Sequence, residues 1–135
     1  MNPPRIDPRA GWVNVKSLPR GPRGFALCRW CQTETPGARR TFCGESCVHE
    51  WKIRTNPGYV RQQVYRRDQG VCAACGSKGK HQWQADHIIP VAEGGGGCGL
   101  DGYRTLCTTC HQLETNALRH RLRERRSKMP IKVEP

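Results

Sequence analysis

Asp86 and His87 lie side by side in Gln84-Ala-Asp86-His87-Ile-Ile-Pro90, and His111 directly follows the last cysteine of Leu106-Cys107-Thr-Thr-Cys110-His111. A carboxylate and an imidazole together can hold a divalent cation. A second imidazole, whose unperturbed pKa is about 6.5, can take a proton from water near neutral pH. A cation held this way serves as Lewis acid and template, which with an activated water is what phosphodiester hydrolysis demands. Neighbouring strand residues point to opposite faces. Asp86 can therefore bind metal while His87 reaches the water from another side, provided the backbone bends there. Taken singly, each residue has a plainer reading. An Asp-His pair is commonly just surface, and His111 could be an alternative zinc ligand or simply a helix N-terminal residue. His81 and His120 read as solvent-exposed.

Something must hold these side chains in place, and the cysteines are spaced to do it. Cys72-Ala-Ala-Cys75 and Cys107-Thr-Thr-Cys110 flank the Asp-His pair, and a second set, Cys28, Cys31, Cys43 and Cys47, precedes them. Four thiolates in two close pairs suit tetrahedral zinc, so each set reads as a structural zinc site. His49 could stand in for a cysteine in the first set, although its Cys-x-x-x-Cys spacing makes that a minority reading. Disulfides in an oxidising compartment are the alternative, less suited to closely paired cysteines. The ninth cysteine, Cys98, reads as a small thiol outside both sets. Staples are needed. The 135 residues are only 36% hydrophobic, with 15 Gly and 10 Pro, so the chain buries too little apolar surface to be comfortably stable alone.

The elements follow from local signals. Residues 1–26, rich in Pro, Gly and Arg, read as an extended basic arm. Residues 27–56 form the four-cysteine module, with Cys47 in the first turn of a helix that reaches about Arg54 and buries Val48 and Trp51. Asn56-Pro57 starts a connecting helix over Pro57 to about Asp68, with Val60 and Val64 inward and Gly70 as its stop. Gln82 to Asp86 alternates as a half-buried strand with Trp83 and Ala85 inward. Gly94 to Gly97 read as a flexible loop, and Leu106-Cys107 as a second strand-like piece. A helix follows, with Leu118 and Leu122 spaced i, i+4. The core therefore spans 57–118, and 119–135 is a basic helical tail that Pro130 ends.

With 23 Lys and Arg against 11 acidic residues, the formal charge is +12. That excess favours a polyanion through phosphate neutralisation and counterion release. Arg61, Arg66 and Arg67 on the connecting helix, and Arg119, Arg121, Arg123, Arg125 and Arg126 on the tail, are the candidate phosphate contacts. Such contacts position a nucleic acid without reading its sequence. No apolar run is long enough to span a membrane, no basic helix has a broad apolar face, and the N-terminus lacks a signal-peptide core. An intracellular location is expected: cytoplasm or nucleoid for a bacterial or phage protein, nucleus for a eukaryotic one.

Residues 71–111 resemble the HNH endonuclease family through Cys-x-x-Cys, Asp-His-Ile-x-Pro, the glycine-rich loop and Leu-Cys-x-x-Cys-His, about eight diagnostic residues in order. The resemblance implies a small, zinc-stabilised α+β fold: a ββα-metal core preceded here by a four-cysteine zinc module and a connecting helix. It implies that Asp86 and His111 bind the catalytic ion, that His87 is the general base, and that Cys72, Cys75, Cys107 and Cys110 hold structural zinc. It further implies entry into the DNA minor groove and cleavage to 5′-phosphate and 3′-hydroxyl ends. One position departs: the family's middle Asn, which braces the loop of the general base, is Gly102, leaving Asp101 as the nearest substitute. Another position that carries His in some nucleases is Thr115.

The expected protein is a metal-dependent DNA endonuclease acting on double-stranded or branched DNA by a one-metal mechanism. Its cofactors would be two structural Zn²⁺ and one catalytic divalent ion, Mg²⁺ or Mn²⁺, which suit a site of two protein ligands completed by water and phosphate. The alternative is a non-catalytic zinc-dependent DNA- or RNA-binding module, degenerate at Gly102. No oligomeric state follows from the sequence.

Overall fold

The computed structural model describes residues 15–37, 40–79 and 82–129. His81, the first fourteen residues of the basic arm and the proposed stop at Pro130 lie outside them. The helices are α1 (Glu45–Thr55), α2 (Pro57–Asp68) and α3 (Thr108–Ser127), and the strands are β1 (Trp83–His87) and β2 (Tyr103–Cys107). The chain forms two compact units. One reaches as far as Gln62 and takes back Gly97–Leu100, and the other comprises Gln63–Gly96 and the residues from Asp101 onward. No helix among the described residues is long and apolar enough to cross a membrane.

In the first unit, short bridges join Arg20 to Ala26 and Leu27 to Glu34. The Glu34 carboxylate accepts from the Arg23 backbone N–H and from its Nε. The segment from Leu18 to Ala26, expected as extended arm, is thus folded, with Leu18 and Ala26 buried. α1 buries Cys47, Trp51 and Ile53. Val48, expected inward, is only half-buried, and Ile53 is buried instead. Arg54 holds residues 97–100 in this unit. Its guanidinium lies 4.1 Å over the Trp30 ring, meets Glu50 at 2.7 Å and donates through Nε to the Gly97 carbonyl at 3.1 Å.

Asn56 ends α1 and starts α2, where its side-chain oxygen accepts from the Tyr59 N–H at 3.0 Å. This satisfies one of the amides that a helix start leaves unpaired. Val60 and Val64, one turn apart, are both buried. Gly70, at φ +76°, makes the left-handed turn out of the helix. A β-carbon there would stand 2.8 Å from the Gly79 carbonyl, so both conformation and space require glycine.

In the second unit, β1 and β2 pair antiparallel in the register Trp83↔Cys107, Ala85↔Thr105, Asp86↔Arg104, His87↔Tyr103. Alternation puts Trp83, Ala85, His87, Tyr103 and Thr105 on one face, and Asp86, Arg104 and the buried Leu106 on the other. The end of α2 covers the first face. Tyr65 stacks on Trp83 with centroids 6.0 Å apart, and Asp68 accepts from the Thr105 hydroxyl at 2.9 Å. α3 lies along the second. The glycine run is tightly turned rather than loose. The Pro90 carbonyl accepts from the Glu93 and Gly95 N–H groups at 2.8 and 3.0 Å, and Glu93 receives Arg121 at 2.8 Å and Arg125 at 2.6 Å from α3.

Candidate metal centres and active site

Both cysteine quartets assemble. Within each of Cys28, Cys31, Cys43, Cys47 and Cys72, Cys75, Cys107, Cys110, all four sulfurs lie within 4.8 Å of one another. Neighbouring sulfurs stand at 3.4 Å for Cys31–Cys43 and Cys43–Cys47, and at 3.8 Å for Cys75–Cys107. Zn–S bonds of about 2.3 Å in a tetrahedron put adjacent sulfurs about 3.8 Å apart. A disulfide would bring them to about 2.05 Å, and every cysteine is a free thiol. The donor sets therefore fit zinc. Cys98 and His49 stand outside them. His49 Nδ1 is instead paired with the Tyr59 hydroxyl at 2.7 Å.

Protonation within the quartets follows from their crowding. Burial is the largest influence on Cys31 and raises it, yet hydrogen bonds from Thr33, Cys43 and Cys28 together bring it down to about 6. Cys72 is likewise lowered to about 6, burial being outweighed by the backbone amides of Cys107, Cys75 and Ala74. Hydrogen bonding to Cys107 and Cys75 pushes Cys110 up to about 12. Close thiols thus share protons unequally, and Zn²⁺ binding would remove all of them.

The second quartet sets the position of His111. The Cys107 sulfur caps α3 by accepting from the Cys110 N–H at 3.4 Å. The Ala73 N–H donates to the Thr105 carbonyl at 2.8 Å, tying the first knuckle to β2. His111 thereby sits in the first turn of α3 facing Asp86, and its Nε2 lies 3.8 Å from Asp86 Oδ1. An octahedral ion at about 2.1 Å from each ligand separates adjacent ligand atoms by about 3.0 Å and opposite ones by about 4.2 Å. The observed separation falls between these two values, so sharing one ion would take a small adjustment of either side chain.

His87 does not join them. It ends β1 on the opposite face, its ring 4.5 Å from that of its cross-strand partner Tyr103. Among the described residues the groups of three or more metal-ligating side chains are the two cysteine quartets. The chain bends at Ile88 and Ile89 directly after His87. There the Ile88 N–H donates to the Gly102 carbonyl at 2.8 Å, so main chain braces the loop at the position where the side chain of Asn is missing. Asp101 is exposed.

Sequence reasoning passed over Arg104 and Glu114. Arg104 Nη2 lies 3.8 Å from Asp86 Oδ2 and 3.6 Å from Glu114 Oε2. Two signals pointed to them: counting back by twos from the buried Leu106 reaches Arg104, and Glu114 is i+3 from His111. Of the arginines expected to meet phosphate, Arg67 is bound bidentately to Asp68 and donates to the Tyr103 carbonyl at 2.7 Å. Arg121 and Arg125 are held by Glu93, whereas Arg66, Arg119, Arg123 and Arg126 are exposed.

Two antiparallel strands and a helix, gathered around four cysteines that could hold zinc and bringing Asp86 to His111, define a ββα element. The sequence model of the HNH endonuclease family matches residues 72–117, so this element is an HNH domain. The chain is also similar to the mouse protein called DNA annealing helicase and endonuclease ZRANB3, at 32% identity over 142 aligned residues. The human protein of the same name is 29% identical over an alignment of the same length. Each alignment takes in 68% of this chain and 13% of the relative, so the chain spans about an eighth of the length of these relatives. No solved structure matches it.

Proposed function

We propose that the protein is a metal-dependent DNA endonuclease in which Asp86 and His111 hold one divalent ion and His87 is the general base. The observation that carries this reading is the 3.8 Å approach of His111 to Asp86, on elements that the zinc-binding cysteines fix. DNA as substrate draws on the relatives, which are named DNA annealing helicase and endonuclease. A bound Mg²⁺ or Mn²⁺ would supply positive charge to the phosphate. His87 takes a proton from the attacking water, whose oxygen bonds to phosphorus as the P–O3′ bond breaks. The departing 3′ oxygen gains a proton from solvent, leaving 5′-phosphate and 3′-hydroxyl ends. His87 stands against Tyr103 on the face opposite Asp86, and on this reading it reaches the water from the strand end, where the chain bends directly after it. Branched as well as double-stranded DNA falls within this proposal.

The test is His87→Ala on the full chain. Plasmid cleavage in Mg²⁺ or Mn²⁺ should be abolished, while DNA binding and two zinc ions per chain persist. Undiminished cleavage by that variant refutes the mechanism. Gly102 favours the second reading, a binding module without catalysis, and that reading wins if the wild-type protein binds DNA yet makes no metal-dependent breaks.

A further inference from the structure

Arg104 sits at the meeting point of β2 and α3, opposite Asp86 in the strand register. Its Nη2 lies between two carboxylates, 3.8 Å from Asp86 and 3.6 Å from Glu114. Both distances are ion-pair separations too long for hydrogen bonds. Its Nε is fully enclosed and has no hydrogen-bond partner among the described residues. The side chain as a whole stays 27% exposed. A guanidinium carries five donors in a rigid fork matched to the oxygens of a carboxylate or phosphate. Here the fork is held by charge on both sides, and these two contacts leave donors unfilled.

Charge balance says what would fill it. Asp86 and Glu114 against Arg104 leave a net charge of minus one. A divalent ion on Asp86 and His111 makes it plus one, which a singly charged phosphodiester neutralises. Asp86 faces His111 with Oδ1 and Arg104 with Oδ2, so the two need not compete for one oxygen, and Glu114, one turn beyond His111, would keep the guanidinium from swinging out. We propose that Arg104 binds a non-bridging oxygen of the scissile phosphate, with Glu114 as its positioning residue. This rests on the nuclease reading, and adds a catalytic cation to it. Fixed cations aimed where charge develops stabilise the transition state more than the bound ground state.

The test uses the full chain and single-turnover cleavage of plasmid in Mn²⁺, with DNA affinity measured in Ca²⁺ and Mn²⁺ affinity by electron paramagnetic resonance. Arg104→Gln should lower the rate at saturating enzyme by about 10²-fold. The Kd for DNA should stay within about threefold, Mn²⁺ affinity should hold or tighten, and zinc content should stay unchanged. Arg104→Lys should recover part of the rate, and Glu114→Gln should lose less than Arg104→Gln. A weakened Kd with a normal saturated rate would place Arg104 on a distant phosphate and overturn the proposal. Parallel loss of Mn²⁺ affinity and thermal stability, without rescue by lysine, would make it structural and overturn it equally. If wild type itself fails to cleave, the nuclease reading falls first and Arg104 with it.

Discussion

Replacing Gly95 by alanine should disturb the candidate site from outside it. A β-carbon at Gly95 would run into the Ile89 carbonyl and stand 2.5 Å from that group's carbon and 3.0 Å from the Ile89 Cβ. Non-bonded carbons normally keep about 3.5 Å, so Ile89 must move by about 1 Å. Ile89 is two residues from His87, and its neighbour Ile88 is pinned to Gly102, so displacement would be passed to the strand end that carries the proposed base. Misplacement by about 1 Å costs on the order of 10²-fold in rate. The overpacking itself costs about 1–3 kcal/mol. The control is Gly96→Ala, whose β-carbon meets only Val91 at 3.5 Å, an ordinary contact. Plasmid cleavage, thermal melting and zinc content would be measured on both. We expect Gly95→Ala to lose most of its activity and several degrees of Tm with two zinc ions retained, and Gly96→Ala to match wild type. Equal melting and cleavage for the two variants would refute the steric reasoning.

Metal analysis should find two zinc ions per chain, unchanged in Cys98→Ser and reduced to one in Cys72→Ser, with that variant also losing Mn²⁺ binding. The Asp68 carboxyl is held below the usual range by hydrogen bonds from Arg67 and then Thr105, against some burial. Its contribution is therefore complete above about pH 4 and is lost as pH falls through the lower folded value. Asp68→Asn should be roughly 1 kcal/mol less stable at pH 7, and the Tm gap to wild type should close below about pH 4. Combined replacement of Arg119, Arg123 and Arg126 by Gln should reduce the slope of log K against log salt by about 0.9 per lost phosphate contact, with Tm unchanged. Arg125→Gln should instead lower Tm, because Arg125 holds Glu93 at 2.6 Å.

Local features of the chain were legible because local forces set them. Asn56-Pro57 and Gly70 marked both ends of α2, and the cysteine spacings marked both quartets. Asp86 and His111, 25 positions apart, could be paired in advance because each stands beside a recognisable anchor. Arg104 and Glu114 have no such marker. Their meeting depends on the register Asp86↔Arg104, which is fixed by how two strands align across a fifteen-residue connection rather than by composition near either one. The glycine run misled for a related reason. Four glycines look pliant in isolation, but the Pro90 carbonyl and Glu93 tie their segment down. The anchoring of Arg121 and Arg125 to Glu93 was equally invisible, since helical charge alone cannot say which arginines are already answered.

Cys75 and Cys107 are 32 positions apart, and nearly everything proposed to do chemistry lies between them or just beyond. Zinc in the second quartet closes that loop, whose entropy alone is worth about 3 kcal/mol. Were a divalent ion to bind Asp86 and His111 as proposed, the two metal equilibria would be linked, because zinc in the quartet would favour the arrangement that brings that pair together. The apparent affinity for Mg²⁺ or Mn²⁺ would then be the intrinsic affinity scaled by zinc occupancy. By the same reciprocity the second ion would tighten the binding of the first. Chelators or thiol oxidants would then silence the protein by dissolving the site's geometry, with Asp86, His87 and His111 themselves chemically intact.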